Sequence, residues 1–271
     1  MDNIIDATTL KPVPETNITT TLFSLGSTVA ILATAYGTSL AVLPKSTTSK
    51  LRVLFIWHAF DALIHGVLEG GYLYNCFFSW STPKASIGSA FTGKFEGSRY
   101  LPRNVHFLGH NARLYGSDYG TNPLSVIWQE YARADARWGG TDLTIISLEL
   151  LTVFLGVPIA AWVCYCIAQR RKDTFFWAIL LATGELYGGF MTFAPEWLTG
   201  NPNLDTENPL LLWVYLVFFN TLWVFIPLWI LYEGYVNLTG GGKGDILNEG
   251  VDMSSGPASA VGKRSSSKKK N

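Results

Sequence analysis

The sequence predicts an all-α, polytopic membrane protein built as a bundle of five transmembrane helices. Three observations predict it: five apolar runs of bilayer-spanning length, a scarcity of charge, and connections that alternate between basic and non-basic. Charged residues make up 15% of the 271 residues, where a soluble domain carries about a quarter, and ten residues are Trp. Basic and acidic residues balance at twenty each, so no nucleic-acid partner is implied.

Residues 1–20 are polar, with Asp2, Asp6 and Glu15 against a single Lys, and lack the basic start of a cleavable signal. The first apolar run is therefore expected to act as an uncleaved anchor. The runs cover residues 21–43, 52–78, 143–168, 175–194 and 210–236, each near the ~20 residues that a spanning helix needs. Lys45, Lys50 and Arg52 mark the first connection, and Arg170, Arg171 and Lys172 mark the third. The fourth holds Glu196, Asp205 and Glu207 with no Lys or Arg. This alternation predicts a lumenal N-terminus and a cytosolic C-terminus. The second connection, 79–142, is too long for the rule to bind it.

The tail from 237 is rich in Gly, Ser and Lys and is expected to be disordered and cytosolic. It closes on Lys268, Lys269 and Lys270, an arrangement similar to a dilysine retrieval signal of the endoplasmic reticulum. Asn17-Ile18-Thr19 is a glycosylation sequon on the expected lumenal side. Cys76, Cys164 and Cys166 fall in apolar runs without metal-type spacing and read as small buried residues.

The spans carry polar residues that hydrocarbon does not tolerate cheaply. Asp61, His65 and Glu69 follow one another four apart in the second span and stack on one helical face. Glu149 stands in the third span, Glu185 and then Tyr187 in the fourth, and Asn220 and Trp223 in the fifth. One ionised acid at the bilayer centre costs at least ~2.5 kcal/mol, so four unpaired ones would cost about as much as a domain's whole stability. They are expected to converge on one another, on His65 or on a wet cavity, with some of them protonated. Such a protonated acid is a competent proton donor at neutral pH. Trp223 lies near the face of Asn220, where its ring could stabilise a cation. Gly66, Gly70 and Gly71 offer close helix approach.

With these residues the chain resembles the emopamil-binding protein family of sterol Δ8–Δ7 isomerases over about 21–236. The resemblance rests on His65-x-x-x-Glu69-Gly70, Trp128-x-Glu130-Tyr131-Ala132, Asp135-x-Arg137, Glu149-x-x-Thr152, Gly156-x-Pro158, Tyr187-Gly188 and Tyr215-x-x-Phe218-x-Asn220-x-Leu222-Trp223. It implies five spanning helices around a sterol-sized intramembrane ligand cavity, and residence in the endoplasmic reticulum. It implies a site built from His65, Glu69, Glu149, Thr152, Asn220 and Trp223, in which His65, Glu69, Glu149, Asn220 and Trp223 are expected to be catalytic and Thr152 to bind substrate. Asp61, Glu185, Tyr187 and Tyr131 are further substrate-binding candidates. The chain departs from the family where Gly189 stands at a common Asp position and Glu185 at a common Gln position. Its connection from 80 to about 122 is also longer than in the animal isomerases, and is expected to form a lumenal cap.

The implied reaction needs no cofactor. A sterol or sterol-like lipid takes a proton at carbon 9 from the Glu69/His65 pair. Glu149 and Trp223 stabilise the carbocation at carbon 8, and a proton leaves carbon 7. Thr152 and Asn220 are expected to orient these groups by hydrogen bonds. Spacing does not say which residue removes the proton. Two rivals stay open: a terpenoid or meroterpenoid cyclase using the same protonation, and a non-catalytic sterol- or lipid-binding protein. Membrane lipids are the expected surroundings, and the sequence leaves a homodimer open.

Overall fold

The computed structural model describes residues 17–82, 101–102 and 104–240. The acids of the N-terminal segment, residues 83–100 of the long connection and the lysine-rich end of the tail lie outside the described residues.

Six helices carry the fold: α1 (Ile18–Val42), α2 (Ser49–Phe78), α3 (Pro123–Tyr131), α4 (Leu143–Ala168), α5 (Thr174–Thr199) and α6 (Leu211–Leu238). Their starts follow local chemistry. The side chain of Asn17 accepts the Thr19 N–H at 3.0 Å, and Asp142 accepts those of Thr144 and Ile145 at 2.9 and 3.0 Å. Asn122 caps α3, which opens on Pro123, a residue whose missing N–H costs nothing at that position. Pro44 follows the end of α1, where Arg52 donates to the carbonyls of Ser39 and Pro44 at 2.7 and 2.9 Å. Gly200 ends α5 at φ +83, a left-handed cap that favours glycine.

Four helices, α1, α2, α4 and α6, are long and apolar enough to cross a membrane. Large apolar side chains such as Phe154, Trp213 and Phe225 point outwards, as lipid-facing surfaces require and water-facing ones avoid. α5 has the length, at 26 residues, but Glu185, Thr183 and several glycines dilute its apolar content, and it does not join the four. α2 stands apart from the other three. In its apolar stretch 56% of residues are buried, against 17% in α1 and 22% in α4 and α6, so α2 is the central helix. It packs on α1 and on the second half of α4, while α5 packs most closely on α6. A Cβ on Gly234 would sit 2.6 Å from Ile179, so glycine is what lets α5 and α6 approach. On α2 only Gly71 has this role, its Cβ position lying 2.8 Å from Leu124, while Gly66 and Gly70 meet ordinary or no crowding.

The described part of the long connection forms a cap at one end of the bundle. A two-residue hairpin pairs Trp80 with Tyr115 and Ser81 with Leu114. Beneath it Trp128 stacks on Trp138, ring centres 4.5 Å apart and 6° from parallel, with Tyr72 of α2 4.8 Å from Trp138. A backbone bridge from Asp135 to Leu204 joins this cap to the α5–α6 connection.

Three helices widen into π turns, at Ile64–Glu69 in α2, Thr152–Gly156 in α4 and Leu211–Phe219 in α6. In α4 the π turn comes just before Pro158, which cannot donate to the preceding turn and would clash with it in a regular helix. Regular helical spacing does not anticipate these turns. The first holds His65 and Glu69, the second begins at Thr152, and the third ends next to Asn220, near the expected site where π turns tend to occur.

Candidate functional site

A cavity of about 770 Å3 opens between α2, α4, α5 and α6, with apolar walls broken by a few polar groups. His65 is the hub. Its Nε2 lies 2.8 Å from Asp61 Oδ1, and its Nδ1 meets Glu69 Oε2 in a short hydrogen bond. The spacing of four along α2 delivers both acids, one turn to either side of the ring, as the sequence implies. Glu149 of α4 completes the group from across the cavity: the ligand atoms of His65, Glu69 and Glu149 all lie within 4.8 Å of one another. Glu149 is 7% exposed, and its Oε2 has no hydrogen-bond partner.

Trp223 of α6 contributes in a way its ring alone does not suggest. Its indole N–H donates to Asp61 Oδ1 at 2.9 Å and lies 3.2 Å from His65 Nε2, while its ring centre is 5.7 Å from that of His65. Asp61 is therefore a direct partner of the hub and not a peripheral acid, and it is fully buried. Glu185 arrives from α5 with its ligand atom within the same 4.8 Å of those of Asp61 and His65.

Three expected site residues are placed differently from the expectation. Tyr187 is 65% exposed and does not line the cavity; two residues along a helix from the inward Glu185, it sits on the opposite side. Asn220 lines the cavity but does not orient the acids. Its amide donates to the carbonyls of Tyr215 and Leu216 at 3.0 and 2.9 Å and to the Tyr131 hydroxyl at 3.2 Å. The π turn that ends at Phe219 leaves those carbonyls in need of a donor, and Asn220 supplies it. Thr152 lines the cavity as well, but its hydroxyl donates back to Leu148 O at 3.0 Å. Tyr131 forms part of the wall; burial, then the nearby Asp135, hold its phenol above the ordinary range, so it stays a neutral hydroxyl.

Two supports come from motif residues to which the sequence gives no role in the site. Trp128 donates its indole N–H to Leu68 O at 2.7 Å, fixing the π turn that carries His65 and Glu69. Arg137, 2% exposed, forms a fork on Asp135 with bonds of 2.9 and 2.6 Å, lies 3.6 Å from Glu196 and donates to Thr192 O at 2.7 Å. Burial pushes the Asp135 carboxyl up, and the facing Arg137 pulls it back. The Asp135-x-Arg137 spacing signals such a fork, but Glu196 and Thr192 come from far along the chain.

Both triads around His65 have the spacing of three metal ligands. Each His65 nitrogen, however, already has a carboxylate oxygen at 2.8 Å or nearer.

A profile described as EXPERA, the expanded EBP superfamily, matches residues 123–234, which includes Glu149, Thr152, Asn220 and Trp223. The 3-beta-hydroxysteroid-Delta(8),Delta(7)-isomerase of Cavia porcellus is 26% identical over 212 residues, 78% of this chain and 74% of its own. That of Rattus norvegicus is 22% identical over 239 residues, 88% of this chain and 85% of its own, a stretch long enough to include α2. Isomeliandiol synthase of Melia azedarach is 24% identical over 186 residues, 68% of each chain. The similarity to the EXPERA family, the expanded EBP superfamily, thus covers residues 123–234, which hold the whole of α3, α4 and α5 and most of α6.

Proposed function

We propose that this protein is a sterol Δ8–Δ7 isomerase, held in the membrane of the endoplasmic reticulum by five helices, with α5 as the fifth. The N-terminus and the cap would be lumenal, and residues 237–271 a cytosolic tail. The observation that carries the reading is the convergence of His65, Glu69 and Glu149 within 4.8 Å at the wall of a largely apolar cavity. An alkene is a weak base, and protonating it takes an acid held out of water beside a surface that tolerates a cation. Glu69, tied to His65, supplies the proton to carbon 9. The carboxyl of Glu149 and the ring of Trp223 face the cation that forms at carbon 8. Loss of a proton from carbon 7 completes the shift. The names of the mammalian relatives support the sterol as substrate.

Membranes from cells expressing the chain should convert Δ8 sterols to Δ7 sterols without added cofactor. Glu69→Gln and Glu149→Gln should each abolish the conversion, and full activity in both variants sinks the assignment. A second reading keeps the chemistry and changes the polycyclic alkene. It is favoured by the plant relative named isomeliandiol synthase and by the acid content around Asp61 and Glu185. Offering the same membranes a triterpenoid alkene beside the sterol separates the two.

A further inference from the structure

The isomerase reading puts the reacting double bond at the hub and leaves the cap end of the cavity without a task. We infer that this end is a hydroxyl-binding subsite, in which Tyr215, Trp138 and Asn201 take the hydroxyl on ring A of a sterol. This rests on the isomerase reading above.

Among the described residues that line the cavity, buried polar atoms without a hydrogen-bond partner fall into two groups. One belongs to the hub, on Glu149 and Glu185. The other comprises the Tyr215 hydroxyl, the Trp138 indole N–H and Asn201 Oδ1. Tyr215 is 1% exposed and Trp138 7%. Ser24 of α1 is a near neighbour of Tyr215, yet the phenol makes no hydrogen bond to it. Both rings pack on Tyr131, their centres 5.5 Å from it for Trp138 and 6.0 Å for Tyr215. The three residues come from the α3–α4 connection, from α6 and from the α5–α6 connection, so the fold assembles the group and no local turn does. Buried polar groups are ordinarily satisfied, and three exceptions on one stretch of cavity wall mark a place where a polar ligand group completes them.

The chemistry of the three is that of a hydroxyl's partners. An indole N–H only donates, an amide oxygen only accepts, and a phenol does either. A hydroxyl offers two lone pairs and one hydrogen, which match donors on Trp138 and Tyr215 and the acceptor on Asn201. The mammalian relatives are named for a 3-beta-hydroxysteroid. The span also suits. α2 and α6 run in opposite directions, with Lys50 meeting Glu233 and His65 meeting Trp223. Tyr215 stands eight residues from Trp223 toward the cap, a rise of roughly 12 Å. Glu69 stands four residues from His65 in the same direction, about 6 Å. The difference is on the scale that separates a hydroxyl on ring A from carbon 9 in the adjoining ring. Because the rings are fused, holding the hydroxyl there also sets the alkene against Glu69.

The test uses the purified full-length protein in lipid and two substrates, a 3β-hydroxy Δ8 sterol and the same Δ8 hydrocarbon without its hydroxyl. The unsubstituted protein should convert the sterol with kcat/KM at least about 100-fold higher, since the hydrocarbon leaves three buried groups unpaired. Tyr215→Phe should raise KM for the sterol about 10-fold with kcat within about threefold, and leave kcat/KM for the hydrocarbon within about twofold. Trp138→Phe, which keeps an aromatic ring against Trp128, should narrow the preference in the same way. So should Asn201→Gly, which keeps the left-handed backbone at φ +58. A purely structural role would lower activity on both substrates alike and leave their ratio untouched. Equal conversion of the two substrates by the unsubstituted protein, or an unchanged preference in any of the three variants, would overturn the inference and leave the isomerase reading standing. A lack of any Δ8 conversion by the unsubstituted protein would instead overturn both.

Discussion

The hub around His65 and the clamp around Arg137 are both buried clusters of acids with a basic partner, and they are built to opposite rules. In the clamp the fork of Arg137 saturates Asp135, and Glu196 also takes the Asn203 backbone and side-chain N–H groups at 3.0 and 2.8 Å. In the hub one imidazole serves four carboxyl groups, and oxygens of Asp61, Glu149 and Glu185 go without a partner. A cluster that only holds a fold pairs its charges, since an unpaired buried group costs more than a paired one returns. A cluster left under-paired at the wall of a cavity keeps its oxygens available for something that enters. The contrast teaches how to separate the two kinds by their unmet hydrogen bonds instead of by burial or charge.

The contrast breaks if the two clusters respond alike to substitution. Glu149→Gln is expected to cost about 10²–10⁴-fold in turnover while thermal stability in detergent stays level or rises, because a buried acid with one unmet oxygen becomes a neutral amide. Arg137→Met should do the reverse. It leaves Asp135 and Glu196 without their cation and should destabilise by about 3–5 kcal/mol, read as a lowered unfolding midpoint, before any effect on KM. If Glu149→Gln unfolds the protein, or Arg137→Met leaves the midpoint unchanged, the distinction fails.

Smaller effects sharpen it. Trp128→Phe keeps an aromatic ring against Trp138 but deletes the hydrogen bond to Leu68 O. About 1 kcal/mol of stability should go with it, together with a few-fold fall in kcat as the π turn under His65 and Glu69 loosens. Tyr187→Phe, on the outward face of α5, should leave turnover within about twofold, measured with the same sterol.

Much of the fold and of the hub is legible in the sequence, and the limits have a physical cause. The four-residue steps from Asp61 to His65 to Glu69 are enough to place the hub on one face of α2, because i and i+4 side chains meet on a helix. The caps at Asn17, Asn122 and Asp142 read directly from residue type. The sequence shows five apolar runs, and four of the helices they form are long and apolar enough to cross a membrane, while Glu185 dilutes the fifth, α5. What spacing does not convey is partner choice. Asn220 serves carbonyls that a π turn frees, and no regular helix would have left them waiting. Asp61 gains its place at the hub from Trp223, 162 residues along the chain. Tyr187 shows the converse error, since a motif neighbour two residues away need not share a face.

The three π turns carry a consequence for how such a protein can change length. Each holds one residue more than the α turn it replaces, so losing that residue restores a regular helix while the flanking segments keep their old faces. Insertions and deletions are ordinarily tolerated in surface loops and rejected in buried helices. Here the tolerant positions lie beside the cavity itself. A lineage could gain or lose single residues next to the reacting groups, reshaping the pocket for a new alkene, with no need to rebuild the bundle around it.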